Sequence, residues 1–275
     1  DWPEKGEVEM RNLSVQYRAD LPYTLNNISC VIPPGSSVAV VGRTAAGKTT
    51  LVQAILRLIE PNGPVKNCLF VDGVDAGEIG LKLLRKNVML INQIPWLYSG
   101  TLRDNLDPFG EYSDERMWKC LKMASVASNF ENLNGLDTLL SESGGNLSVG
   151  EKQLVCLARS ILGKNKIFIF DEPTANIDIN TDTVIQNAIR KMDVLKEATI
   201  ITIAHRLATI IDYDLVMVLE NGQLIQFGEP HALLTGSDDS GSNKFLSMVN
   251  AASSEFLKRK AKEAYEERRR SRKIM

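Results

Sequence analysis

Val38-Ala39-Val40-Val41-Gly42-Arg43-Thr44-Ala45-Ala46-Gly47-Lys48-Thr49-Thr50-Leu51 decides the fold. Its opening apolar run is far too short to cross a bilayer, which takes about 20 apolar residues. Bounded by Ser36-Ser37 and a glycine, it reads as a strand buried on both faces. Gly42 to Thr49 then fits GxxxxGK[ST], and Lys48 to Ile59 reads as a helix with Leu51, Ile55 and Leu58 inward, stopped before Pro61. A strand, a glycine loop and a helix in that order can cradle phosphate. The glycines let backbone N–H groups approach, and the helix N-terminus adds partial positive charge. Lys48 is expected to reach the β- and γ-phosphates, and the Thr49 hydroxyl to ligate magnesium. The stretch predicts a site for a nucleoside triphosphate with Mg2+, lined by Gly42, Arg43, Thr44, Ala45, Ala46, Gly47, Lys48, Thr49 and Thr50.

Upstream, Leu13, Val15 and Tyr17 alternate with polar residues as in a half-buried strand, and Pro33-Pro34-Gly35 marks a turn. Downstream, Ile167 to Phe170 and Thr199 to Ala204 read as buried parallel strands. Val216 to Leu219, Asn221-Gly222 and Gln223 to Phe227 read as a hairpin with a tight turn. Between about 100 and 165 the pattern is mostly helical. Strands alternating with helices predict an α/β fold with an inserted helical subdomain. Ile167 to Phe170 runs into Asp171-Glu172. In an open α/β sheet ligands gather at the carboxyl ends of strands, so Asp171 can hold magnesium through water and Glu172 can polarise an attacking water.

Composition narrows the class. The net charge of -2 gives no global basic field for nucleic acid. Asp1-Trp2-Pro3-Glu4-Lys5 has no apolar stretch behind it, so no signal peptide is read, and a first residue other than Met suggests a piece of a longer chain. Cys30, Cys68, Cys120 and Cys156 are scattered without a CxxC pair and read as reduced thiols. Thr235 to Asn243 reads as a flexible linker by composition. Glu255 to Met275 carries nine Lys or Arg against four Glu. It reads as a solvated terminal helix or disordered tail, or as a contact with anionic lipid or an acidic partner. Lys258 to Lys262 and Arg268 to Lys273 also resemble nuclear localisation patches.

Leu147-Ser148-Val149-Gly150-Glu151-Lys152-Gln153 lies about twenty residues before the acidic strand. Here the chain resembles the ATP-binding cassette (ABC) family, whose signature is LSGGQ, with Val149 in place of a glycine and Glu151 in place of a glutamine. Gly6-Glu7-Val8 through Tyr17-Arg18, Tyr98 through Phe109, and Leu147 to Gln153 make the likeness closest to the second nucleotide-binding domain of class C, the multidrug-resistance-associated proteins. The resemblance implies a P-loop NTPase (RecA-like) core with an antiparallel β subdomain and an inserted helical subdomain. It implies a nucleotide-binding domain over 1–250, with the helical subdomain at about 95–163, and a charged, basic tail over 251–275.

The resemblance further implies a Mg-dependent ATPase that powers a membrane exporter through ATP-driven dimerisation. A first nucleotide-binding domain and transmembrane domains would be its partners, on the cytosolic face of a membrane, with no nucleic acid; the isolated domain would be soluble. Tyr17 would stack on adenine. Gln93 would touch magnesium and the attacking water, with Asn92 where relatives often have Pro. Asp178, in Ala175-Asn176-Ile177-Asp178, would cross the dimer interface, and His205 would contact the γ-phosphate. Ser148 and Gly150 would serve an ATP held by the partner. Thr49, Gln93 and Asp171 would organise the metal, with Glu172, His205 and Gln93 as the catalytic group.

Intact Gln93 and Glu172 imply that the site on this chain is the competent one, and the altered signature implies a weaker site on the partner. Relatives usually carry Gly where Ala45 stands; at positive φ its methyl group would cost about 1 kcal/mol. The alternatives are an ATP-sensing domain of a class C channel or channel regulator, a soluble ABC ATPase, and a module that binds ATP without hydrolysing it.

Overall fold

The computed structural model describes residues 2–60, 67–171, 189, 192–204, 207–236, 243–251 and 255–274. The expected site residues Glu172, Asp178 and His205, and most of the expected linker, 237–242, lie outside the described residues. The strands are β1 (Val8–Val15), β2 (Leu25–Ile32), β3 (Ser37–Val41), β4 (Leu69–Val71), β5 (Val74–Asp75), β6 (Val88–Ile91), β7 (Gly100–Thr101), β8 (Leu139–Leu140), β9 (Ile167–Asp171), β10 (Thr199–Ile203), β11 (Leu215–Glu220) and β12 (Gln223–Gly228). The chain divides into two compact units, one of residues 1–86 with 199–275 and one of 87–198.

The first unit holds two sheets. An antiparallel one runs β2-β1-β4-β5, with Val8 opposite Ile32 and Val71. In the other, β3 lies between β10 and β11, parallel to both, and β12 closes the edge antiparallel to β11. The apolar run at 38–41 forms β3, and Val38, Ala39, Val40 and Val41 are all buried, as a central strand covered on both faces requires. The β11–β12 hairpin turns through Asn221 at φ 49 and Gly222 at φ 75, the left-handed pair that a two-residue hairpin turn demands.

The helix after the glycine loop is shorter than its pattern suggests, spanning Lys48–Ile55 rather than reaching Ile59. Arg57 takes φ 48, and its guanidinium donates to the Ala76 and Ile79 carbonyls at 2.9 and 3.0 Å. Arg85 takes the Leu56 and Arg57 carbonyls. The Arg85 bonds take the carbonyls just past the helix end, and Leu58, expected inward, is 54% exposed.

The charged terminal segment is a helix, Glu255–Ile274. Leu257 and Ala261 are buried in one cluster with Ala39, Val41, Val216, Val218, Phe245 and Val249. Lys260 pairs with Asp212 at 3.3 Å, and Arg268 donates to the Asp212 carbonyl at 2.8 Å and faces Asp214 at 3.8 Å. The expected linker has anchored ends: Thr235 closes the helix Pro230–Thr235, and the Asn243 amide bonds Gln226 and Leu233.

The second unit holds the parallel pair β6–β9 and the short pair β7–β8. Helices Asp114–Met123 and Val149–Ser160 pack together, with Met117, Cys120, Leu121, Leu154, Val155 and Leu157 buried. Arg116 donates to the carbonyls of Ile161 and Leu162 at 2.8 and 3.1 Å, closing the end of the second helix. No helix among the described residues is long and apolar enough to cross a membrane. All four cysteines are free, and burial pushes the Cys30 thiol up to about 12, so it stays protonated and unreactive.

Candidate nucleotide site

β3 delivers the glycine loop to the N-terminus of the helix Lys48–Ile55. Gly47 caps that helix in a left-handed conformation, φ 102, with no side-chain cap and no acidic residue in the first turn. A side chain there would meet a Leu25 methyl at 2.7 Å and the Thr24 carbonyl at 2.9 Å, so only glycine lets the loop close. At Gly42 an added Cβ would stand 2.4 Å from the Leu219 carbonyl. The Gly222 N–H donates to the Ala46 carbonyl at 3.2 Å, so the β11–β12 turn braces the loop. Arg43, Thr44, Ala45 and Thr49 are exposed, while Ala46, Lys48 and Thr50 are buried. Lys48 Nζ folds back to the Gly42 and Arg43 carbonyls at 2.9 and 3.3 Å. Ala45 has φ 64, the left-handed conformation in which its methyl group costs about 1 kcal/mol against glycine.

Tyr17 stands just beyond β1 with half its surface exposed, which excludes a core role. Its hydroxyl bonds Thr50 Oγ1 at 3.1 Å and Gln53 Oε1 at 3.0 Å. The ring is thereby tied to the helix that follows the phosphate loop. These two long-range bonds place Tyr17 and the loop residues together in the first unit.

In the second unit, Gln93 and Asp171 come to the carboxyl ends of two paired parallel strands, with Ile91 of β6 opposite Phe170 of β9. Both are half-buried, and Gln93 makes no hydrogen bond among the described residues. The exposed Thr49 hydroxyl, the Gln93 amide oxygen and the Asp171 carboxylate are hard oxygen donors. Few protein ligands plus phosphate and water suit Mg2+. The open helix end at Gly47 likewise suits a polyphosphate.

The residues at 147–153 open the helix Val149–Ser160. Ser148 is its N-cap. The hydroxyl accepts from the Glu151 N–H at 3.2 Å, and the Glu151 carboxylate accepts from the Ser148 N–H at 2.7 Å. Val149 is exposed and Gly150 buried. Asn129 donates to the other Glu151 oxygen. The Ser148 backbone first, then its side chain, hold the Glu151 carboxyl below the usual carboxylate range; burial opposes this and Asn129 adds to it. Sequence spacing does not single out Asn129, because its partner is reached only through the fold. The signature pattern assigns Gln153 no role, yet its Nε2 donates to the Asn92 carbonyl beside Gln93.

The sheet, the glycine loop and the open helix end define a P-loop nucleotide-binding domain. The model of the ABC transporter family matches residues 25–175, more than half of the chain, and the protein belongs to that family. It is 46% identical over 236 residues to ATP-binding cassette sub-family C member 2 of Rattus norvegicus, covering 86% of this chain and 15% of the relative. It is 44% identical over 268 residues to the probable multidrug resistance-associated protein lethal(2)03659 of Drosophila melanogaster, covering 96% and 19%. Among solved structures, a bacterial Atm1-family ABC exporter with ATP bound aligns at TM-score 0.80 and 30% identity, over 92% of this chain and 43% of that one. The chain spans about a fifth or less of the length of these curated relatives.

Proposed function

We propose that this chain is the ATP-binding and ATP-hydrolysing domain of a class C exporter, acting with a first nucleotide-binding domain and transmembrane domains on the cytosolic face of a membrane. The observation that carries the reading is the uncapped helix end behind Gly47, flanked by Lys48 and Thr49 and closed in by a hairpin. Backbone N–H groups there would hold the β- and γ-phosphates, and Lys48 would turn from the loop carbonyls to the phosphate oxygens. Thr49, Gln93 and Asp171 would hold magnesium, which neutralises developing phosphate charge when bound. Glu172 would orient or deprotonate the attacking water and His205 would steady the γ-phosphate, so positioning and electrostatics supply most of the rate. Ser148, Gly150 and Asp178 would serve the interface with the partner domain, and Tyr17 would lie against adenine. Similarity to class C relatives along nearly the whole chain supports the exporter assignment.

The test is ATP turnover by the full-length protein. Lys48→Ala is expected to weaken ATP binding by about 10- to 100-fold, the worth of a charge-assisted contact. Glu172→Gln is expected to keep ATP binding and abolish turnover. Near-normal turnover in Glu172→Gln would overturn the hydrolytic reading and leave an ATP-gated regulator.

A further inference from the structure

The helix Val149–Ser160 holds the segment after β6 through one of its faces. Gln153, Cys156 and Arg159 stand at i, i+3 and i+6 along it. Gln153 Nε2 donates to the Asn92 carbonyl at 3.1 Å. Cys156 Sγ and Arg159 Nη1 both donate to the Trp96 carbonyl, at 3.7 and 3.2 Å. Arg159 Nε also donates to the Asn105 carbonyl at 2.6 Å. The segment is pinned at Asn92 and again at Trp96, and Gln93, Ile94 and Pro95 arch between the pins. Ile94 at the crest is 73% exposed.

These polar groups are costly where they stand. Gln153 is 1% exposed and its Oε1 has no partner among the described residues, and Arg159 Nη2 is buried without one among them. An orphaned buried polar atom costs about 1–3 kcal/mol, which a methionine of similar volume would avoid. Stability alone therefore does not account for an amide at 153. What the three side chains share is the carbonyls of one arch, and that arch carries Gln93.

We propose that Gln153 and Arg159 are positioning residues that fix the Gln93 arch to the helix capped by Ser148, so that both move as one body. This rests on the reading above, in which Gln93 serves the metal of this chain's nucleotide and Ser148 serves the partner's. The link runs through a rigid element about 9 Å long between the outer pins.

The experiment uses the full-length protein and a fluorescent ATP analogue, titrated with Mg2+ and again in EDTA. Gln153→Met is expected to weaken Mg-dependent binding by about tenfold, the usual cost of freeing a group behind a metal ligand. Binding in EDTA and the melting temperature should hold. In a Gln93→Ala background Gln153→Met should add no further loss, because both act through one group. Unchanged Mg-dependent affinity in Gln153→Met, or losses that sum in the double variant, would overturn the link. Gln93→Ala without effect on Mg-dependent binding would instead remove the reading of the metal site. Should Gln153→Met fail to fold, Arg159→Lys, which keeps the cation and loses the planar fork, is expected to give the same Mg-dependent loss, and unchanged affinity would count against the link.

Discussion

Two helices in this domain begin at residues read as phosphate contacts, and they begin in opposite ways. The helix Lys48–Ile55 starts at a left-handed glycine, with no side-chain cap and no acid in its first turn. The helix Val149–Ser160 starts at Ser148 with a closed capping box whose second member is the carboxylate of Glu151. The first leaves its N–H groups and partial positive charge to a ligand. The second has already engaged the Ser148 hydroxyl and the Ser148 and Glu151 N–H groups, and carries a standing negative charge. One end is built to depend on an anion, and the other is stable without one.

Three substitutions sharpen or break that contrast. Gly47→Ala should have the largest effect. The left-handed backbone and the approach of Thr24 and Leu25 would cost about 2 kcal/mol or more, read as a melting temperature several degrees lower and weaker ATP binding. An unchanged melting temperature would show that the loop tolerates a side chain. Ser148→Ala should cost about 1 kcal/mol by removing the cap, measured by denaturant unfolding. A loss no larger than a few tenths would mean that the box contributes little.

Glu151→Gln should have the smallest effect on stability, a few tenths of a kcal/mol, since an amide keeps the box and loses only the charge–dipole attraction. Its pH signature is specific. The folded carboxyl lies below its ordinary value, so its contribution is present above the unfolded pKa near 4.3 and is lost as pH falls through the folded one. The stability gap between the natural protein and Glu151→Gln should close on acidification below about pH 4. A gap that persists at lower pH would place the effect in packing rather than charge.

Much of the first helix start was legible in the sequence, and rather little of the second. The phosphate loop is a local device, in which strand, glycines and helix follow one another and the backbone does the work. β3 and the β11–β12 hairpin were readable for the same reason, as a short apolar run and an Asn-Gly turn. The helix end at Ile55 was not, because Arg57 turns the chain at positive φ and the carbonyls just past the helix are taken by the Arg85 guanidinium, which reaches them only through the fold. Signature spacing marked Ser148, but that Glu151 is held by Asn129, or that Gln153 reaches Asn92, depends on contacts made only after folding. The acidic strand was read correctly to Asp171, and Glu172, Asp178 and His205 lie beyond the described residues.

The docked helix Glu255–Ile274 bears on how the domain can be handled at the bench. A boundary at 250 looks natural from composition, since Glu255 to Met275 beyond it is rich in charge. Cutting there would strip Leu257 and Ala261 from the cluster that covers Val41 and Val218, strands that flank the phosphate loop, and would leave Asp212 without its lysine. An excised domain meant for biochemistry should therefore run past Arg268, and a shorter one would report on a frayed core as much as on ATP.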